Sequence, residues 1–170
     1  MLRIAEFEKV SFARFAADWQ AAFPAAGAAE AERLYAEIKL PQRATSGSAG
    51  YDFFTPVEIS LKPKENILLP TGVRVRMAEG WFLAIMPKSG LGFKYRLQMD
   101  NTVGIIDSDY YYSDNEGHIF VKITNDGNHG KIITLSPGAA VCQGLFLPFG
   151  ITESDAATAR RNGGFGSTAK

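Results

Sequence analysis

The sequence predicts one mainly β domain, a sandwich, barrel or jelly roll, with a short helical extension at its N-terminus. Three observations carry this reading. From Leu40 onward apolar residues recur with a period of two in short runs. Turn signals separate those runs at short intervals, at 63–66, 70–72, 125–128 and 136–138. Before Leu40 the apolar spacing is instead helical.

In chain order, Ser11 precedes Phe12, Phe15, Ala16, Trp19 and Phe23, a helical stripe behind an N-cap residue. Pro24 and Gly27 end that segment. Ala31, Leu34, Tyr35 and Ile38 predict a second short helix. Both stripes are read as packing faces. Val73, Val75 and Met77 alternate with Arg74, Arg76 and Ala78, a half-buried strand. The run 81–86 is continuously apolar and suits a buried strand. Ile119, Val121 and Ile123 alternate, as do Ile133 and Leu135, and 141–147 is a further strand. Residues 151–162 are polar and aperiodic, a linker to a glycine-rich end. The resulting organisation is an extension over 1–37, a β domain over 38–150 and an arm over 151–170.

At 170 residues and 46% hydrophobic, the chain can fill a core as one domain. Eighteen basic residues balance eighteen acidic ones. That balance argues against a generic binder of nucleic acid or anionic membrane. Cys142 is the only cysteine, so no internal disulfide forms, which fits a reducing, cytoplasmic setting. Charges within residues 1–20 break any signal-peptide core, and no apolar run is long enough to span a bilayer.

Several segments could carry chemistry. In the last ten residues, Gly163, Gly164 and Gly166 let backbone N–H groups approach an anion. Ser167 and Thr168 add hydroxyl donors, and Arg160 and Arg161 add charge for phosphate. No helix follows, so the segment reads as an arm closing over a phosphorylated ligand. Phe165, alone among glycines, suits stacking on a base. After the run 81–86, Pro87, Lys88, Ser89, Gly90 and Leu91 form a strand-to-loop turn able to offer donors to phosphate. In 101–110, Asp107 closes an apolar run and can act as a general base, with Asp109 two residues on. Asn101 offers an amide suited to a nucleobase edge. Asp52 follows Ala49, Gly50 and Tyr51, where it could cap a turn or attend a cation. Gln143 lies within a strand and needs a partner. His118 and His129 lack metal-ligand spacing and are read as solvated loop or strand residues.

Taken in order, the segments 49–53, 87–91, 101–110, 138–143 and 160–168 resemble the five motifs of the trimeric dUTPase family (deoxyuridine triphosphate diphosphatases). The resemblance covers roughly 38–168. It implies a jelly-roll or distorted β-barrel subunit and a homotrimer with shared active sites. It also implies hydrolysis of dUTP to dUMP and pyrophosphate, with Asp107 activating the attacking water. Asn101 and the backbone of 102–110, including Gly104 and Ile106, would read uracil in a tight hairpin. Tyr110 would pack on the deoxyribose. Lys88, Ser89, Gly90 and Gln143 would hold phosphates, and Asp52 would sit near Mg²⁺ through water, the metal being held mainly by substrate. Phe165 would stack on uracil, while Arg160 or Arg161, with Gly166, Ser167 and Thr168, would grip the outer phosphates.

The chain departs from the family pattern in three places. Lys88 stands where the family usually has Arg, Tyr111 to Glu116 intervene before Gly117, and the arm offers two adjacent arginines. The nearest rival is dCTP deaminase, whose catalytic glutamate falls at Lys122 here. A dUTPase-fold protein acting mainly on a partner protein is the other alternative.

Overall fold

In the computed structural model, residues 2–159 and 161–163 are described. The sequence expectations for Arg160, Phe165, Gly166, Ser167 and Thr168 lie outside those residues. Strand β1 (Ala5–Lys9) leads into helices α1 (Phe12–Ala22) and α2 (Ala28–Glu37). Strands β2 (Gln42–Arg43), β3 (Tyr51–Phe54), β4 (Ile59–Leu61), β5 (Asn66–Pro70), β6 (Val73–Met77) and β7 (Trp81–Pro87) follow. Helix α3 (Ser89–Tyr95), β8 (Leu97–Met99), β9 (Gly104–Asp107) and a 3₁₀ helix (Ser108–Tyr112) come next. The chain then forms β10 (Phe120–Asn125), β11 (Ile133–Leu135) and β12 (Ala140–Pro148).

Among the described residues the strands pair into four antiparallel sheets, ordered β1-β6, β5-β10-β8, β11-β4 and β2-β3-β12-β7-β9. The inward residues of these sheets, among them Phe53, Leu69, Leu83, Ile85, Val121, Ile123, Ile133 and Val141, make one core. Cys142 is fully buried in it, and burial pushes its thiol far above the usual range, so it is chemically quiet. No helix among the described residues is long and apolar enough to cross a membrane.

The helical extension behaves as its pattern predicts. Ser11 caps α1 by accepting from the Arg14 N–H, and Phe15 and Trp19 turn inward with stacked rings 5.5 Å apart. Ala31 and Leu34 of α2 face them, and all four belong to the core that the sheets share. Strand β1 was not expected. Its Glu6 and Glu8 mask a period of two, and they are accommodated because β6 presents Arg76 and Arg74 directly opposite. The pairs close at 2.5 and 2.8 Å, cross-strand contacts of the order of 0.2–1 kcal/mol each.

His118 overturns the sequence reading. It is not solvated: its ring has no exposure. Nε2 accepts the Gly72 N–H at 2.8 Å, so the proton sits on Nδ1 and points at Asp18 Oδ2, 2.7 Å away on α1. A hundred residues separate the two partners, so local pattern could not reveal the pair.

Burial pushes the His118 pKa down, against the opposing pull of Asp18. Arg14 and Glu116 are the other charges acting on it, and the Phe15 and Phe120 rings pack beside it. Below about pH 6.5 the unfolded histidine takes a proton that the folded one refuses. Its contribution to stability is therefore present above that pH and is lost as pH falls through the lowered folded value. Thermal melts from pH 7.5 to 5 should show the melting temperature falling on the acid side. A flat profile would contradict the buried neutral ring.

Candidate active site

One group of polar residues gathers where β3, β12 and β7 meet α3. Gln143 on β12 lies opposite Asp52 of β3 on one side and Met86 of β7 on the other. Its Nε2 donates to the Pro87 carbonyl at 3.4 Å. Lys88 leaves β7 and pairs with Asp52, Nζ to Oδ2, at 2.5 Å. The expected strand-to-loop turn after Lys88 is instead a short helix. The Lys88 carbonyl accepts from Leu91 and Gly92 at 3.0 Å, and Arg96, in the left-handed region, closes the far end. Gly90 and Gly92 hid this helix because glycine disfavours helices. In its first turn the N–H groups of Ser89 and Gly90 have no intrahelical acceptor and are free for an anion. Gly50 permits the crowding: a Cβ there would come within 2.9 Å of Gln143 Oε1.

A second group lies along β9. Residues 100–103 form a turn, with Thr102 N–H bonded to the Met99 carbonyl and Val103 N–H to that of Asn101. Thr102 is in the left-handed region at φ 67°. Only Gly104–Asp107 is strand, pairing with β7 on one side and forming the edge of its sheet. Asn101 stands over Gly104, whose added Cβ would lie 3.7 Å from Asn101 Nδ2. Gly104 and Ile106 face inward, while Ile105, 53% exposed, and the half-exposed Asp107 share the outer face.

The tight hairpin that the resemblance implies over 102–110 is not built from paired strands among the described residues: β8 pairs with β10, β9 with β7, and after Asp107 the chain turns directly into the 3₁₀ helix. Asp107 occupies its N-cap position, yet its side chain makes no capping bond. It accepts instead from Arg161 Nη2, while Arg161 Nε reaches Asp109 at 3.0 Å. Asp109, which the sequence marked only as a neighbour of Asp107, is thus the second arm of a fork. Tyr110 is drawn inward to 5% exposure. Its hydroxyl donates to the His118 carbonyl at 2.8 Å and accepts from Asn115 Nδ2 at 2.7 Å. Burial raises its pKa. Little of its ring is left to meet a sugar.

Gly104 lies opposite Ile85, next to the first group, but Asp107 is remote from it within one chain. On β7, Asp107 lies opposite Phe82 and Gln143 opposite Met86. Four residues of strand place them about 13 Å apart along it. A base acting through water and a donor on the same phosphoryl oxygen need to be within roughly 10 Å of each other.

The dUTPase family model matches residues 36–169. The chain belongs to the dUTPase family. It is 40% identical to the deoxyuridine 5'-triphosphate nucleotidohydrolase of Lactococcus lactis, over 78% of this chain and 89% of that protein. With the protein of the same name from Tolumonas auensis it shares 37% identity over 81% and 92%. The crystal structure of the Streptococcus mutans dUTPase superposes with a TM-score of 0.59 at 36% identity, covering 68% of this chain and 89% of that one. The strand β1, helix α1 and most of α2 precede the matched region.

Replacing Gly50 by Ala forces Gln143 to move, because the new methyl group would overlap its amide. The atom met is the far end of a flexible side chain, so denaturant unfolding should show only a small loss, below about 1 kcal/mol. A loss of several kcal/mol would mean that Gln143 is held too rigidly to give way.

Proposed function

We propose that the chain hydrolyses dUTP to dUMP and pyrophosphate, with Asp107 as the general base. The observation that carries the assignment of the base is the position of Asp107. It ends an edge strand, is free of any capping duty, and shares an outer face with an exposed apolar side chain. Alternate N–H and C=O groups of an edge strand point away from its partner. Beside Ile105 they can pair with the uracil edge much as another strand would, with the Asn101 amide completing the set. Cytosine presents the reverse pattern at N3 and N4. It would leave buried polar groups unpaired, a stronger rejection than a methyl group alone supplies.

Asp107 accepts a proton from water as the water oxygen bonds to the α-phosphorus. The bond from that phosphorus to the α,β-bridging oxygen breaks, and its electron pair leaves with pyrophosphate. Lys88, the Ser89 and Gly90 N–H groups and Gln143 would hold phosphate oxygens. Because these residues lie at least about 13 Å along β7 from Asp107, a complete site takes them from a second copy of the chain. This supports sites shared between copies, and the family resemblance makes that assembly a homotrimer.

Arg161 occupies one oxygen of Asp107, so proton transfer there requires the guanidinium to leave. A triphosphate offers it a stronger, bidentate partner. On this contact we assign the phosphate grip to Arg161, against the family spacing counted back from Gly163 and Gly164, which favours Arg160. Substrate binding would then free the base.

Magnesium fits this donor set only as a guest of the substrate. Among the described residues no three metal-binding side chains converge. Asp52 could hold such an ion through water, and Mg²⁺ commonly keeps several waters and binds phosphate oxygens. When bound it would neutralise charge on the leaving pyrophosphate.

The deaminase alternative is not favoured. Lys122, at the position of its catalytic glutamate, lies on β10, in a different sheet from Asp107, paired with Asp100 at 3.0 Å.

Incubating the protein with each deoxynucleoside triphosphate and Mg²⁺ should give dUMP and pyrophosphate from dUTP. Absence of both would sink the reading, and deamination of dCTP would replace it. Asp107→Asn should lower kcat by about a thousand-fold while nucleotide still binds. Arg161→Ala should raise KM for dUTP about ten-fold, as expected for a lost charged contact. An unchanged KM would return the gripping role to Arg160.

A further inference from the structure

Residues 111–118, where the chain departs from the family pattern, contact the N-terminal residues that precede the family match. Ser11 holds Glu116 twice, through its N–H and its hydroxyl, each at 2.7 Å. Arg14 Nη2 reaches the Asp114 carbonyl, and Asp18 holds His118. On the β1 side, the Tyr111 hydroxyl donates to Glu8 at 2.9 Å, while Arg74, itself paired to Glu8, lies over the Tyr111 ring at 4.4 Å. The returning segment is in turn pressed against the 3₁₀ helix. Gly117, at φ 70°, has room for no Cβ, which would sit 2.7 Å from the Tyr111 Cα. The His118 carbonyl and the Asn115 amide both bind the Tyr110 hydroxyl. Asp107 is the residue on which that helix begins, so the direction of its carboxylate depends on where the helix is held.

We infer that α1 and β1 form a brace that positions Asp107, with Ser11 and Glu116 as positioning residues acting through residues 111–118 and Tyr110. The inference rests on Asp107 being the base. The uracil-reading turn at 100–103 and the phosphate donors at 88–90 are anchored elsewhere, by β8, β7 and β3. Loosening the brace therefore misaligns the base without weakening nucleotide binding. Small misplacement of a reacting group is costly to rate.

The test is steady-state kinetics on dUTP with Glu116→Ala, Ser11→Ala, the double variant, Glu116→Gln and Asp107→Asn. Both positions are at the surface, so folding is expected to persist, and circular dichroism checks it. Glu116→Ala should lower kcat about ten-fold with KM within about two-fold. Glu116→Gln, which keeps one acceptor oxygen for Ser11, should recover most of the loss. Glu116→Ala removes both bonds to Ser11, whereas Ser11→Ala removes only the hydroxyl bond together with the Arg14 cap. The double variant should therefore lower kcat no further than Glu116→Ala alone, any extra loss appearing as stability and not as kcat. If Asp107→Asn is inactive while Glu116→Ala and Ser11→Ala keep the parent kcat, the brace is wrong and the base stands. A parallel rise in KM, or no rescue by Gln, would mean general loosening and would also overturn it. If Asp107→Asn stays active, the base assignment fails and the brace falls with it.

Discussion

An edge strand with a carboxylate at its end is the constraint on which the site depends. Among the described residues β9 has one hydrogen-bonded neighbour, β7, which leaves its outer groups to a planar polar ligand. Such an edge is a hazard, since any extended chain can add to it. Here its four residues are short, Asp107 ends it with a charge, and the chain turns sharply into a 3₁₀ helix. The features that protect the edge are also those that give it chemistry. Ile105 supplies apolar surface on the same face, and the inward Gly104 and Ile106 hold the strand against Ile85 and Leu83.

Much of the scaffold was legible in the sequence because its signals are local. The alternation of Val73 and Val75 with Arg74 and Arg76 gave β6 directly, and Ser11 before a helical stripe gave α1. What the sequence hid was set by partners far away. Glu6 and Glu8 read only as charges that break a signal-peptide core until Arg74 and Arg76 are placed opposite. His118 read as a surface residue until Asp18 is brought to it. Gly90 and Gly92 argued for a loop, yet bonds to the Lys88 carbonyl and a left-handed Arg96 make a short helix. At the site, Asp52, Lys88, Gln143 and Asp107 were all visible as residue types in motifs. That they form two groups at separate points along β7 was not, because strand register is a property of pairing and not of spacing.

The extension deepens the core as well as touching the site. Phe15, Trp19 and Leu34 are fully or almost fully buried against residues of the sheets. The polar side of α1 faces the excursion from 111 to 118. One helix thus uses its apolar stripe for stability and its Ser11, Arg14 and Asp18 side for alignment, a division that follows from the 3.6-residue period.

The charge balance of the chain bears on how it meets a polyanion. With equal numbers of acidic and basic residues, it has no net field to draw nucleic acid non-specifically. Among the described residues, the cations at the site are already on carboxylates: Lys88 on Asp52, and Arg161 on Asp107 and Asp109. Pairing keeps these cations oriented and avoids leaving charge unpaired in half-buried positions. A phosphate diester carries one charge per phosphorus and competes poorly for two such pairs. A triphosphate concentrates several charges within the reach of one arginine fork and one ammonium, so it can exchange with the carboxylates. The exchange is selective because it must displace both pairs. On the proposed mechanism it is also productive, because one of the carboxylates released is Asp107, the base proposed above.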